Sequence, residues 1–170
     1  MDVAQLRELQ APLKARYKDE PATAVITLRA KGEIGQDGLA CRVETGRALV
    51  EAGLHPASGG SGLQACSGDM LLEALAACAG VTLSAVATAL GIEIRQGTVE
   101  ADGDLDFRGT LGVAKDAPVG FAAIRLGFRL DTDADDEQLA TLLKLTERYC
   151  VVLQSLRTPA ASTATITRAA

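Results

Sequence analysis

The stretch that decides the fold runs from residue 68 to residue 83 and reads Gly-Asp-Met-Leu-Leu-Glu-Ala-Leu-Ala-Ala-Cys-Ala-Gly-Val-Thr-Leu. Its cysteine is Cys78. From Met70 to Leu90 the chain is almost continuously apolar, and Glu73 is its only charged residue. A run of this length and composition predicts a long helix that is buried in the protein core.

The ends of the run predict where this helix begins and stops. Ser67 or Asp69 is expected to cap its start, and Gly91 is expected to end it. The run is also long enough to test as a membrane span. Its flanks carry Asp69 on one side and Glu93 with Arg95 on the other, without the basic cluster or aromatic belt of a spanning helix. A buried helix is therefore favoured, and no membrane partner is expected.

The rest of the chain alternates between strand-like and helical periodicity. Period-two alternation predicts strands, which we place at 22–30, 39–43, 48–51, 99–107, 122–130 and 162–168. Glycine-rich segments predict a turn at 32–38 and a loop at 53–68. Helical spacing recurs over 1–20, with Asp2 as N-cap, and from Asp135 to Cys150. Strands and helices are segregated, which predicts an α+β domain at 21–170 preceded by an N-terminal helical extension at 1–20.

The charged faces of two predicted strands are complementary. Acidic residues alternate along 99–107, whereas Arg125 and Arg129 lie on the outer face of 122–130. A row of carboxylates could hold a metal, but alternation on an open face favours ion pairs between neighbouring strands.

Composition narrows the classes of partner. The net charge of −5 and the absence of tryptophan argue against binding of nucleic acid. A single histidine, His55, and the lack of paired cysteine spacing argue against zinc, and no cofactor is expected. The charged first twenty residues do not resemble a signal peptide, so a cytoplasmic protein with reduced thiols is expected.

Two cysteines stand out among the four. Cys78 lies inside the apolar run, and Cys150 follows Glu147-Arg-Tyr at the end of a predicted amphipathic helix. They are 72 positions apart (150 − 78), so they form neither a CxxC redox pair nor a zinc knuckle. Leu139 precedes Cys150 by eleven residues, close to three turns at about 3.6 residues each, so Cys150 should share the apolar stripe.

Cys78 could be an inert core residue or a reactive thiol. Burial among the apolar residues at helical spacing would raise its pKa, and it lies too deep in its own helix to gain from the N-terminal dipole. A reactive thiol would therefore need a cation from another element or subunit. The expected neighbours are apolar: Leu71, Ala74, Leu75, Val81 and Thr82. Small side chains at 76, 80, 84 and 88 would allow a second element to approach closely.

The run around Cys78, taken with Glu147-Arg-Tyr-Cys150 far downstream, resembles the OsmC/Ohr family (osmotically inducible protein C / organic hydroperoxide resistance). The resemblance covers about residues 22 to 168. It implies an OsmC-like fold with antiparallel sheets packed around long central helices. It also implies an intertwined homodimer with thiol-peroxidase sites at the subunit interface.

The same resemblance implies roles for individual residues. Cys78 matches the peroxidatic cysteine, whose thiolate attacks an organic peroxide, and Cys150 matches the resolving cysteine. Asp69 matches the position of a carboxylate that orients an activating arginine, for which the chain offers Arg29, with Lys31 nearby. An external dithiol would reduce the resulting disulfide. Asp69 and Cys78 are nine residues apart in one helix, about 13.5 Å, so Asp69 is expected to serve the Cys78 site of the partner subunit.

Other interpretations stay open. A non-catalytic OsmC-like dimer could bind an apolar ligand or partner in the same interfacial pocket. Cys66 could act as an alternative resolving thiol, although an incidental loop cysteine is the simpler interpretation. Cys41 is expected in the core of a strand, and His55 on the surface. Glu73 is expected to face away from Cys78, towards a salt-bridge partner or solvent.

Overall fold

The structure, a computed structural model, describes residues 2–5, 8, 11, 19, 31–35, 40–44, 49–112 and 114–168. Residues 3–5 are helical. The Asp2 carboxylate accepts a hydrogen bond from the Gln5 N–H at 2.8 Å, and the Gln5 side chain accepts one from the Asp2 N–H at 2.9 Å. Asp2 therefore caps this segment as predicted. The strand predicted at 22–30 lies outside the described residues.

The described part of the N-terminal half forms a four-stranded sheet in sequential order. Its strands are β1 (Lys31–Gly35), β2 (Ala40–Glu44), β3 (Leu49–Gly53) and β4 (Ala65–Cys66). The β1–β2 and β2–β3 pairs are antiparallel, whereas β3 and β4 are parallel. A 3₁₀ turn at Pro56–Ser58 lies in the loop before β4.

The turn predicted at 32–38 is wrong over its first half. Residues 32–35 belong to β1 and pair with β2, with Ile34 opposite Cys41. The glycines at 32 and 35 suggested a turn. Glycine nevertheless retains its backbone donor and acceptor, and the neighbouring strand uses them here.

The long helix α1 runs from Ser67 to Leu90. Its N-cap is Cys66, without a side-chain capping hydrogen bond, so the predicted cap at Ser67 or Asp69 is wrong by one to three residues. Asp69 lies in the first turn, where its negative charge complements the helix dipole. Gly91 ends the helix with φ of 71°, a left-handed conformation that glycine adopts without steric cost, and this end is as predicted.

A second sheet pairs two long antiparallel strands, β5 (Gln96–Leu105) and β6 (Phe121–Asp131). Between them lies the short helix α2 (Phe107–Thr110), so the prediction that strand β5 continues through Phe107 is wrong. The predicted ion pairs across the strands are present: an Arg125 Nη atom lies 2.7 Å from Asp104 Oδ1, and Arg129 lies 3.9 Å from Glu100.

Two helices follow the second sheet. Helix α3 (Asp136–Tyr149) begins as predicted, with Asp135 and Gln138 forming a capping box. Helix α4 (Val151–Arg157) follows after a single residue, Cys150, and was not predicted.

The final predicted strand is wrong as well. Residues 162–168 are exposed and are not paired with any strand of the described chain, and Ile166 is fully exposed. Alternation of small and β-branched side chains favours an extended backbone, but a strand also requires a partner.

The core lies between α1, α3, α4 and the inner face of the second sheet. Helix α1 buries every fourth residue of one stripe, namely Leu75, Ala79, Leu83 and Ala87. The partly buried residues of β5 and β6 that pack on this stripe are Val99, Ala101, Ile124, Leu126, Phe128 and Leu130. Within the described part of the chain, α1 is the one helix whose length and composition would allow it to cross a membrane, but its buried stripe packs on protein.

Candidate functional site

The fold brings Cys78 and Cys150 together. Cys150 is completely buried, in one apolar cluster with Leu75, Ala79 and Leu153, and half-buried Cys78 packs against this cluster. The two thiols are close enough for each to shift the pKa of the other, and both are free. A cysteine of the central helix thus lies next to one from the end of α3.

Cys150 lies at a sharp bend between α3 and α4. Its backbone is extended, with φ of −72° and ψ of 106°, so the two helices cannot be continuous. The N–H of Cys150 still bonds to the carbonyl of Thr146 at 2.9 Å, and helical bonding resumes with Gln154 N–H to the carbonyl of Cys150 at 2.9 Å. The bend therefore releases the three N–H groups of residues 151–153 from helical hydrogen bonding.

The released N–H groups point to the two sulfur atoms. The N–H groups of Val151 and Val152 lie close enough to Cys78 Sγ to lower its pKa, and those of Val152 and Leu153 act in the same way on Cys150 Sγ. Backbone donors have no rotamer freedom and stabilise a negative charge on an acceptor atom. The bend thus supplies donors for a thiolate without any side chain.

These contacts shift the pKa of Cys78 downward. Burial acts in the opposite direction and raises the pKa, but hydrogen bonds from Val152 N–H, the Cys150 thiol and Val151 N–H together outweigh it. The Thr82 hydroxyl also lies nearby, but it donates to the Cys78 carbonyl at 2.7 Å, so its proton is already used. None of these donors is positively charged. The cation expected to activate the thiol is thus replaced, in part, by neutral backbone groups.

The pKa of Cys150 shifts upward instead. Burial is the main cause, and the neighbouring Cys78 raises the pKa further, although the N–H groups of Leu153 and Val152 lower it. Because each thiol shifts the pKa of the other, the two titrate as a pair. The opposite shifts favour Cys78 as the member of the pair that loses its proton first.

The open side of Cys78 is lined by exposed apolar residues. Leu71 and Val81, which were expected to bury the thiol, are 38% and 73% exposed, and Val151 is 69% exposed. Within one chain the predicted apolar wall is therefore only half present. Contiguous exposed apolar residues around a functional group are typical of a binding surface.

The other predicted site residues lie away from the two sulfurs or outside the described residues. Asp69 is exposed in the first turn of α1, about 13.5 Å along the helix from Cys78, so the two do not touch within the chain. Arg29 lies outside the described residues, and for Lys31 only the backbone of β1 is described. The described part of the chain does not show the activating arginine.

Cys66 does not join the pair within the chain. Cys66 precedes α1 and is twelve residues from Cys78, about 18 Å at the helical rise, so it cannot resolve Cys78 in the same chain without rearrangement. Cys41 lies in β2, but its side chain is outside the described residues. Among the described residues, no group of three or more His, Cys, Asp or Glu side chains could hold a metal ion.

Two further predictions concern single residues. His55 is half-buried rather than on the surface: its ring stacks on Phe107 with 5.0 Å between centroids, and its Nδ1 accepts a hydrogen bond from the Ala57 N–H. These contacts hold the imidazole ring in the loop before β4. Glu73 is exposed on α1, consistent with the solvent-facing position expected for it.

Sequence reasoning missed the backbone donors of residues 151–153. It treated Cys150 as the end of a helix and sought a charged group for Cys78. A usable signal was present in Val151-Val-Leu-Gln-Ser-Leu-Arg157, where Leu153 and Leu156 recur at helical spacing. A second helix starting directly after Cys150 would have indicated free N–H groups at that point.

Comparison with known proteins places the chain in a family. Residues 60–165, well over half of the chain, match the model of the family described as OsmC-like protein. No curated protein sequence matches the chain.

Solved structures of similar fold include an OsmC-like protein from Mycoplasma pneumoniae, with a TM-score of 0.66 and 15% identity over 79% of this chain and 89% of that one. An organic hydroperoxide resistance protein OsmC from Legionella pneumophila has a TM-score of 0.62 and 16% identity over 79% and 91% of the two chains. The organic hydroperoxide resistance protein OhrB of Bacillus subtilis has a TM-score of 0.53 and 20% identity over 79% and 93%. These likenesses agree with the α+β fold, and the family match shows that the chain belongs to the OsmC-like protein family.

Proposed function

We propose that this protein is a thiol peroxidase that reduces organic hydroperoxides through Cys78 and Cys150. The observation that carries the proposal is the contact between the two thiols, with the pKa of Cys78 lowered and that of Cys150 raised. A thiolate beside a protonated partner thiol is the arrangement that a two-cysteine peroxidase needs. Fold relatives named organic hydroperoxide resistance proteins support the choice of substrate class.

In the first step the Cys78 thiolate attacks the terminal oxygen of the hydroperoxide. The S–O bond forms as the O–O bond breaks, and the alkoxide leaves and takes a proton from solvent to become the alcohol. Cys78 is oxidised to a sulfenic acid and the peroxide is reduced. The backbone N–H groups of Val151 and Val152 favour the thiolate that starts this step.

In the second step Cys150 attacks the sulfur of the sulfenic acid. An S–S bond forms, the S–O bond breaks, and the hydroxyl group leaves as water with the proton from Cys150. Because the thiols are already in contact, no large movement of α3 or α4 is needed. An external dithiol then reduces the disulfide by exchange and is itself oxidised.

The proposal includes a cytoplasmic homodimer whose interface covers the open side of Cys78. Three features support it: Val81 and Val151 are mostly exposed, Ile166 is fully exposed, and residues 162–168 are not paired with a strand of the described chain. A second copy would bury this apolar surface and enclose the tail of an organic peroxide. Within such a dimer Arg29 and Asp69 would complete the site, the latter from the partner subunit.

The proposal is tested by titrating thiols against peroxide. Reduced protein receives one equivalent of cumene hydroperoxide, and free thiols are counted by mass spectrometry in wild type, Cys78→Ser and Cys150→Ser. We expect wild type to lose two thiols rapidly and form a Cys78–Cys150 disulfide. Cys78→Ser should lose none at that rate, and Cys150→Ser should accumulate a sulfenic acid that dimedone traps. Cys66→Ser is the matched control and should behave as wild type.

Unchanged thiols in wild type would refute the peroxidase and leave a module that binds an apolar ligand at the same surface. Loss of two thiols in Cys78→Ser would refute the assigned order of the two cysteines.

A further inference from the structure

The bend at Cys150 leaves backbone carbonyls that compete for the donors of the thiol site. In a continuous helix the N–H of Val151 would bond to the carbonyl of Glu147, and the N–H of Val152 to that of Arg148. In the structure the bend at Cys150 separates these groups, and both N–H groups instead lie close enough to Cys78 to lower its pKa. The bend is thus maintained only if those carbonyls find other donors or if the helices are held apart.

Two side chains of α4 supply contacts across the bend. Gln154 Nε2 donates to the backbone carbonyl of Glu147 at 2.7 Å, which replaces the N–H that this carbonyl lost. Arg157 Nη2 donates to the Glu147 carboxylate at 2.6 Å. Both contacts join α4, which follows Cys150, to the last turn of α3, which precedes it.

We propose that Gln154 and Arg157 are positioning residues for the thiol site. By binding Glu147 across the bend they stabilise the broken arrangement of α3 and α4, and so keep the N–H groups of residues 151 and 152 available to Cys78. The inference rests on the proposed role of Cys78 as the reacting thiol, but it does not depend on the peroxide.

The surroundings of Cys78 allow this effect to be separated from a direct effect of charge. Several elements pack against Cys78 and carry titratable groups. Among these groups, Cys150 is in contact with Cys78. Glu147 is half-buried. The charged residues exposed to solvent on α1, α3, α4, β5 and β6 are Asp69, Glu73, Glu100, Asp102, Asp104, Arg125, Arg129, Asp131, Asp136, Glu137, Lys144, Arg148 and Arg157. Removing Arg157 changes a charge near the site, whereas replacing Gln154 changes a hydrogen bond alone. If Gln154 and Arg157 act by holding the bend in place, both variants should shift the pH midpoint for alkylation of Cys78 in the same direction.

The test follows alkylation of Cys78 by iodoacetamide in reduced full-length protein from pH 5 to pH 10, read by peptide mass spectrometry. In Gln154→Met, which keeps the shape of the side chain without its donor, and in Arg157→Ala, the midpoint should move to higher pH. The rate at pH 7 should fall about two- to fivefold, the range that an exposed polar contact can supply. Arg157→Lys should recover most of the rate, and Ser155→Ala, exposed on the same helix, should match wild type.

Cys66 serves as the internal reference because it lies at the far end of α1. Its alkylation profile should be the same in every variant. Wild-type profiles of Cys78 in both Gln154→Met and Arg157→Ala would overturn the proposal, as would an equal change at Cys66, which would indicate general loosening of the fold. A shifted Cys78 profile in protein that fails to consume peroxide would uphold this inference while refuting the proposed function.

Discussion

At the scale of single residues, Cys78 is subject to two opposing effects. Burial disfavours its thiolate, whereas N–H groups of the backbone and the Cys150 thiol favour it, and the balance lowers its pKa. At Cys150 burial dominates and the pKa is raised. The environment thus shifts the pKa values of two chemically identical side chains in opposite directions.

We predict that Cys78 is alkylated faster than Cys150 at neutral pH. A lowered pKa leaves a larger fraction of thiolate at pH 7, and the thiolate is the reactive form. The same pKa shift makes the stability of the fold depend on pH. Cys78 stabilises the fold above the pKa of an unfolded thiol, and this contribution is lost as the pH falls through the folded pKa. Residue-resolved alkylation from pH 5 to pH 10 measures the two midpoints, and a midpoint for Cys150 at or below that of Cys78 would contradict the prediction.

The residue types predicted the two thiols but not the donors around them. Cys78 and Cys150 carried a recognisable pattern because their side chains have distinctive chemistry. Every non-proline residue has a backbone N–H group, so the residue types at Val151 and Val152 do not indicate that their N–H groups act on a thiol. Their role arises only from the bend. Arg29 and Asp69, which were inferred from the resemblance, stay predictions.

At the scale of elements, periodicity was informative where a segment has one buried face within the chain. Helix α1, strands β5 and β6, and helix α3 all lie near their predicted places because their apolar residues repeat at the period of the element. Helix α4 is only seven residues long, so its periodic signal is limited to Leu153 and Leu156. Residues 162–168 carry the alternation of a strand, but the strand that would pair with them is absent from the described chain.

The packing of α1 makes a quantitative prediction. Leu75 is completely buried against the Cys150 cluster, so Leu75→Ala removes apolar contacts and leaves a cavity. We expect the free energy of unfolding to fall by about 2–5 kcal/mol. Urea denaturation followed by circular dichroism measures the change. Leu63→Ala, at a site that is 91% exposed, is the matched control and should alter stability by less than about 0.5 kcal/mol.

At the scale of the whole molecule, the proposed dimer places the exposed side of Cys78 at an interface. Val81→Glu would put a charge into that apolar surface, and we expect it to weaken self-association at least tenfold, because an unpaired buried charge costs several kcal/mol. Sedimentation velocity over a range of concentrations measures the monomer fraction. Leu63→Glu adds the same charge at an exposed loop site and should leave association unchanged. Equal association constants for wild type and Val81→Glu would contradict this interface.

The proximity of Cys78 and Cys150 has a consequence for the unfolded chain. A bridge between sulfurs 72 positions apart would close a large loop and restrict the random coil far more than the native state, where the two residues already touch. The chain-entropy account puts the gain at roughly 4 kcal/mol. The oxidised protein should therefore melt at a higher temperature than the reduced protein in a calorimeter, and Cys150→Ser should abolish that difference. If oxidised and reduced wild type melt together, the bridge is strained or joins other cysteines. If the oxidised protein melts at the higher temperature, exposure to peroxide makes this protein more resistant to unfolding. The reductant then returns it to the less stable form.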